Sequence, residues 1–261
     1  MHTIRNYIMA ESLEQAWELN QKGRNNIIIG GNLWLKMGRR NIINAIDLSS
    51  LGLDKIEEDE GGFRIGCMAT LHDIETHEGL NKEFQNLFKE AVRHIVGVQF
   101  RNCATIGGSI FPKLGFSDVL TAFLACDTQV ILYKKGEVPL REFIYIPTDN
   151  DILTHLYVKK DGRKTAYESF RMTETDFPTI TCAVAKIQDG FETVLGARPK
   201  HAEVVVDEVV ADAFSSEEVA DYAKRVIGKL QYGSNIRGSE QYRKQLSKVL
   251  ISRCISRLTE E

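Results

Sequence analysis

The run Arg101-Asn102-Cys103-Ala104-Thr105-Ile106-Gly107-Gly108-Ser109-Ile110 sets a hydroxyl, two adjacent glycines and a second hydroxyl among apolar residues. Paired glycines let a backbone turn sharply and approach a ligand closely, because no Cβ intervenes. Thr105 and Ser109 add hydroxyl donors to the amides that such a turn exposes, a combination suited to a diphosphate. A related arrangement lies upstream, where the apolar run Ile27-Ile28-Ile29 breaks into Gly30-Gly31-Asn32. A single Gly-Gly pair marks only a turn, but two such loops in one chain suggest two walls of one phosphate cradle. No credible nucleophile–base triad stands beside them, so no catalytic side chain is expected. Cys67, Cys103, Cys126, Cys182 and Cys254 are far apart and form no C-x-x-C. An iron–sulfur or zinc site within this chain is therefore not expected. The five read as reduced, mostly buried thiols, Cys103 among them. His72 and His77 are five apart and do not share a helix face, which argues against a metal site.

The elements that must position the loops follow from local patterns. Ser12-Leu13-Glu14-Gln15 fits a capping box, Leu13, Ala16 and Trp17 supply an apolar stripe, and Gly23 is a stop. The β-branched Ile27–Ile29 predicts a short buried strand that ends in the Gly30-Gly31-Asn32 turn. Leu33 to Met37 predicts the start of a helix, and Ile42 to Ile46 a second strand. A G-x-G-x-x-G dinucleotide fingerprint is absent here, since only Gly38 follows the pair. The acidic Glu57-Glu58-Asp59-Glu60 reads as a solvated loop before a strand-like Phe63 to Met68. Leu87, Phe88, Ala91, Val92 and Ile95 follow helical spacing. That helix runs out at Gly97, just ahead of the second glycine loop.

Ser117-Asp118 heads an apolar helix over Val119 to Ala125, where an acidic side chain is favoured by the helix dipole. Gln129 to Tyr133 and Ile152 to Val158 alternate as strands. Beyond about residue 165 the pattern changes to strands near Ile180 to Ile187 and Phe191 to Gly196, then two helices. Ser215-x-x-Glu218 opens the first, with Val219, Tyr222, Ala223, Val226, Ile227 and Leu230 on one face. Ser239 opens the second, with Tyr242, Leu246, Val249, Leu250 and Cys254 on one face.

The 261 residues suffice for one large domain or two smaller ones. A net charge of -3 offers no broad basic surface, which argues against nucleic acid or anionic membrane as partner. With 43% apolar and 26% charged residues the composition is that of a soluble globular chain. No apolar run approaches the roughly 20 residues of a membrane helix. The N-terminal residues lack the apolar segment of a secretory signal, so a cytoplasmic location is expected.

Three stretches resemble one family. Ala104-Thr105-Ile106-Gly107-Gly108-Ser109-Ile110 followed by Ser117-Asp118 is similar to the second FAD-binding segment of the flavoprotein subunits of molybdenum hydroxylases, the xanthine dehydrogenase family. Ile27 to Trp34 resembles their first segment, and Arg237 to Arg243 the opening of the last helix in their C-terminal domain. The matches fall in the family's order and span nearly the whole chain.

The resemblance implies an α+β fold. A two-part FAD-binding domain of the PCMH type, over 1–165 with α/β subdomains at about 1–55 and 56–165, would precede a C-terminal domain over 166–261. That last domain would be a small antiparallel sheet covered by helices. FAD would be bound non-covalently by Ile27, Ile28, Ile29, Gly30, Gly31, Asn32, Leu33, Trp34, Thr105, Ile106, Gly107, Gly108, Ser109 and Leu153. Ile95 is either a core residue or one that touches the flavin. Asp118 is either a helix-capping acid or an acceptor for the ribose or adenine.

The resemblance also implies a heterotrimer. A molybdopterin subunit would hydroxylate the substrate, and an iron–sulfur subunit with two [2Fe-2S] clusters would pass electrons to FAD here and on to NAD+ or another acceptor. The alternatives are a stand-alone FAD-dependent reductase or oxidase of the same fold, and an FAD-free scaffold homologue. The chain departs from the family's frequent pattern at two places. Ser109 replaces an Asn, and Ser169 replaces a Lys that would supply a cation near the cofactor.

Overall fold

A computed structural model describes residues 3–188, 190–207 and 215–259 of the chain. In order, these form β1 (Thr3–Met9), α1 (Leu13–Gln21), β2 (Asn26–Ile29), β3 (Asn41–Asp47), β4 (Ile56–Glu58) and β5 (Gly62–Gly66). Helices α2 (Leu71–Thr76), α3 (Glu78–Glu83), α4 (Leu87–Val92), α5 (Val98–Arg101), α6 (Ile106–Ile110) and α7 (Asp118–Leu124) come next. Then come β6 (Thr128–Leu132), β7 (Gly136–Pro139), α8 (Leu140–Phe143), β8 (Leu153–Lys159), β9 (Lys164–Phe170), β10 (Ile180–Ile187), β11 (Gly190–Gly196) and β12 (Glu203–Asp207). Helices α9 (Ser216–Gly228) and α10 (Glu240–Thr259) close the chain.

The chain packs as two compact units. One gathers Met1–Asp73, Val98–Pro112 and Thr128–Val158; the other gathers Ile74–Gly97, Lys113–Asp127 and Lys159–Glu261. The fold is mixed α/β with sheets in both, as the family resemblance implies.

The first unit holds two sheets. In the smaller, β1 and β2 flank β3 in the order β1-β3-β2, both parallel to it. Ile29, Ile42 and Ala45 form a small core, with Ile4, Ile27 and Leu35 packed against them. Asn6 donates to Asn44 (3.0 Å) and Asn44 to Asn26 (2.9 Å), an amide ladder across all three strands on the face that also carries Ile42 and Ile46. The ladder joins the same residues that the strand register pairs. Strand β1 was not foreseen, because its outward Tyr7 and Met9 break the alternation that a half-buried strand shows.

The larger sheet runs β4-β5-β8-β6-β7. Part of the expected acidic loop is therefore strand: Glu57 and Glu58 pair with Arg64 and Phe63. Asp59 makes the turn, its Oδ1 accepting the amides of Gly61 and Gly62 at 2.7 and 2.8 Å. The helix expected from Leu33 is only a 3-10 turn, Leu35–Met37.

The second unit is built on the antiparallel sheet β12-β11-β10-β9. Ile180, Cys182 and Val184 of β10 belong to a core with Val219, Tyr222, Ala223 and Val226 of α9 and Leu250, Ile251 and Cys254 of α10. The capping box foreseen at Ser215 is complete. The alternate residues of β10 meet α7 instead, where the Thr181 and Thr121 hydroxyls bond at 2.8 Å. Helices thus cover both faces, and α7 and α4 arrive from far upstream in sequence.

The helix expected from Phe84 to Ile95 is regular only over Leu87–Val92. Asn81 explains the break: its Nδ2 donates to the Ile74 carbonyl (2.8 Å) while its Oδ1 accepts the Lys89 amide (3.0 Å). A side chain from the preceding helix thus satisfies an otherwise orphaned N-terminal donor of α4. Among the described residues no helix is long and apolar enough to cross a membrane.

Candidate functional site

The two glycine segments meet inside the first unit. A Cβ on Gly30 would overlap the Thr105 hydroxyl, and one on Gly31 would overlap the Cys103 carbonyl oxygen. The first loop therefore lies on the backbone of the second, and only hydrogen fits at either position. Neither glycine has a left-handed backbone; the residue that does is Asn32, with φ 56°.

The second segment is a short helix rather than the open glycine turn expected from its sequence. Thr105 caps α6, its side chain accepting from the Gly108 amide at 3.2 Å. The Ser109 hydroxyl donates back to the Thr105 carbonyl at 2.9 Å. Backbone bonds from Ile106 to the Ala69 carbonyl (2.9 Å) and from Gly107 to the Cys67 carbonyl (2.8 Å) hang the helix on the loop after β5. A Cβ on Gly107 would stand 2.9 Å from that Cys67 oxygen. At Gly108 the nearest atom would be the Thr105 hydroxyl at 3.1 Å, with nothing else within 4 Å. Gly107 is thus required by the chain's own packing, and Gly108 largely is not.

Leu153 is buried at the head of β8. Its neighbour Thr154 accepts the Cys67 amide at 2.8 Å, so β8 and α6 are tied to the same residue. Burial pushes the Cys67 thiol up to about 12, and it stays protonated. Cys103 corrects the expectation of a buried thiol: it is exposed, because its carbonyl, not its side chain, faces Gly31. Trp34 is partly exposed and stacks edge-on against Phe100, with ring centroids 6.0 Å apart.

Ile95 and Asp118 belong to the second unit. Ile95 is half-buried. Ser117 caps α7, as expected, accepting the Leu120 amide at 3.0 Å. Asp118 does more than face the helix dipole. It is buried, with one oxygen taken by the Tyr167 hydroxyl at 2.5 Å and the other by the Arg171 guanidinium at 2.7 Å. Burial pushes its carboxyl up, opposed by the Arg171 charge and by hydrogen bonds from Tyr167 and Arg171. Burial and the adjacent carboxylate hold Tyr167 well above the ordinary phenol value, so it remains a donor.

Tyr167, Ser169 and Arg171 alternate along one side of β9 and its extension, and Arg171 also donates to the Ser169 hydroxyl. Arg171, two residues on from Ser169, brings a guanidinium to this side of the strand. These residues line a polar cavity of about 160 Å³ together with His94, Glu174 and Arg257. Arg171 is matched there by Asp118 and Arg257 by Glu168, so the cavity is polar without a strong net charge. The period-two spacing of Tyr167, Ser169 and Arg171 puts them on one side of a strand, but nothing in the sequence linked them to Asp118. Cys67 and Ala69 offered no signal, because they contribute only carbonyls.

Residues 2–158 match the family described as "FAD binding domain in molybdopterin dehydrogenase". The chain belongs to that family. FAD is the cofactor of its domain, and the resemblance read from the glycine segments holds. The relatives agree. The glyceraldehyde dehydrogenase medium chain of Sulfolobus acidocaldarius is 27% identical, with 94% of each chain covered. The nicotine 6-hydroxylase medium subunit of Paenarthrobacter nicotinovorans is 25% identical, with 95% of each covered. In fold, the chain superposes on a chain of carbon monoxide dehydrogenase from Hydrogenophaga pseudoflava with a TM-score of 0.86, at 21% identity and over 97% and 96% of the two chains. These relatives are subunits of oxidoreductases, the enzyme class to which this chain belongs.

The residues fit the cofactor on the structure's own terms. The glycine-locked contact at Gly31 and Cys103 leaves backbone, not side chains, at the junction of the two loops. The buried Asn32 Oδ1 there has no hydrogen-bond partner among the described residues.

Proposed function

We propose that this chain is the electron-transferring medium subunit of a three-subunit molybdenum hydroxylase, passing electrons to NAD+ or another acceptor. An iron–sulfur subunit and a molybdopterin subunit would be its partners, and the complex would be cytoplasmic. FAD supplies the redox chemistry when bound, taking up electrons singly and delivering them as a pair. The chain's residues do the holding. Gly30, Gly31 and Asn32, with Thr105 through Ser109, form the two walls against the diphosphate, and Ile27 to Ile29 and Leu153 support them from strands. Ile95 and Asp118 lie in the second unit, where Tyr167 and Arg171 engage both oxygens of Asp118.

The observation that carries this reading is the locking of the first glycine loop onto the second, in a chain that matches medium subunits over nearly their whole length. No side chain here is assigned proton transfer or nucleophilic attack. The substrate's chemistry would therefore belong to the partner subunits. The names of the relatives, a glyceraldehyde dehydrogenase and a nicotine hydroxylase, point to aldehydes or heterocycles as its class.

Affinity purification of the chain from its own cells tests the assignment. Co-purification of an iron–sulfur and a molybdopterin polypeptide, with NAD+ or another acceptor reduced by the complex and not by the chain with substrate alone, is the expected result. A yellow chain that purifies alone and turns over substrate with an artificial acceptor would overturn it in favour of a stand-alone reductase. Acid precipitation should release the flavin into the supernatant; flavin in the pellet would contradict non-covalent binding.

A further inference from the structure

Asn32 carries two costs that glycine would avoid. Its backbone is left-handed at φ 56°, a region that residues with a Cβ enter at a penalty. Its side-chain oxygen is buried and meets no donor among the described residues, and an unpaired buried acceptor is costly. A third glycine after Gly30-Gly31 would remove both. The loop cannot relax readily to relieve them, because Gly30 and Gly31 are pressed against Thr105 and the Cys103 carbonyl.

An acceptor held this way calls for a donor from outside the chain. A diphosphate diester at neutral pH presents only acceptor oxygens, so it cannot satisfy an amide oxygen. The alcohols that flank the diphosphate in FAD, on the ribityl chain to one side and the ribose to the other, are donors. We propose that Asn32 is a positioning residue for the cofactor, its Oδ1 accepting a hydrogen bond from one of these hydroxyls. It would fix how far along the cradle the cofactor sits. This deepens the FAD reading and rests on it.

Fluorescence titration of the flavin-stripped full chain and its Asn32→Gly variant, with FAD and with analogues each lacking one ribityl or ribose hydroxyl, tests the inference. Glycine adopts the φ of position 32 freely, so the variant should unfold at the same temperature as the parent, or slightly higher, without flavin. With FAD it should bind about tenfold more weakly, the scale of one lost hydrogen bond to a buried group. The two proteins should bind one analogue equally, and that analogue identifies the hydroxyl as ribityl or ribose. Equal weakening toward FAD and every analogue would overturn the inference and turn the amide toward phosphate. Unchanged FAD affinity in the variant would overturn it as well. A parent chain that binds no FAD would instead remove the FAD reading itself, which is a distinguishable failure.

Discussion

The two glycine pairs look alike in sequence and are held for different reasons. At Gly30 and Gly31 the chain itself occupies the space that a side chain would need: Thr105 lies over one and the Cys103 carbonyl over the other. At Gly108, inside α6, a Cβ would approach only the Thr105 hydroxyl, at 3.1 Å. The first pair is therefore a packing requirement between two backbones. Gly108 leaves a surface bare, which the fold alone does not explain and a close-lying cofactor would. Gly107, against the Cys67 carbonyl, belongs with the first pair despite its place in the second. Adjacent glycines can thus carry separate constraints, and only the atoms around each Cβ direction tell them apart.

Substitution at Gly31 should break the contrast most visibly. Gly31→Ala drives a methyl group into the Cys103 carbonyl and should destabilise the first unit by about 3 kcal/mol, the upper range for overpacking. Thermal unfolding without flavin would register it, and an unfolding temperature matching the parent's would mean that the loops do not touch as described. Gly108→Ala should do the opposite. Its stability without flavin should stay within about 1 kcal/mol of the parent, since helix propensity favours alanine. Its flavin content after purification should nevertheless collapse. Full occupancy in that variant would assign Gly108 to the turn alone.

Thr105 links the two pairs, and its effect should be intermediate. Thr105→Val keeps the shape but loses the acceptor for the Gly108 amide, costing about 1 kcal/mol, whereas Thr105→Ser should recover most of it. Equal loss in the serine variant would point to the methyl group against Gly30 rather than to the cap.

The smallest expected effect lies in the second unit and serves as the control. Burial, then the charges of Arg93 and Arg171, hold His94 below its ordinary value of 6.5, against weaker opposing pulls from Glu174 and Glu90. The Arg93 Nε donates to the His94 Nε2 at 3.0 Å, a bond that requires neutral imidazole. The unfolded chain takes up this proton first as pH falls, so stability should decrease from 6.5 downward until the folded form also protonates. Denaturant titrations of His94→Gln should show a shallower decline over that range, while the glycine variants keep the parent's slope. An unchanged slope in His94→Gln would remove histidine from the acid response.

Much of this was legible in the sequence, where local chemistry decides the outcome. The Ser215–Glu218 box, the Ser117 cap and the β-branched runs Ile27–Ile29 and Ile180–Ile187 form the elements expected of them, because caps and buried strands answer to neighbours in sequence. The glycine segments pointed to the cofactor by residue type and to the family by order. Their geometry was not legible: Gly107-Gly108 gave no sign of being helical, since glycine is a poor helix former, and the contacts that hold α6 are carbonyls of Cys67 and Ala69. Asp118 was ambiguous because its partners, Tyr167 and Arg171, lie some fifty residues on, as the 49-residue separation of Tyr167 from Asp118 records. Cys103 was misjudged for a related reason, as residue type predicts the burial of a thiol but not which way one loop residue turns.

The interleaving of the two units bears on how the protein emerges during synthesis. Residues Ile74–Gly97 and Lys113–Asp127 leave the ribosome before the sheet they cover exists. The Thr165 hydroxyl finds the Phe84 carbonyl, at 2.6 Å, only after 81 further residues have been made. Helices α4 and α7 must therefore wait with Phe88, Ala91, Val119 and Phe123 uncovered, residues that end fully buried. A chain shortened from its C-terminal end would leave them so permanently. It should be drawn to chaperones or aggregate, even though every residue of the two glycine segments had been translated intact.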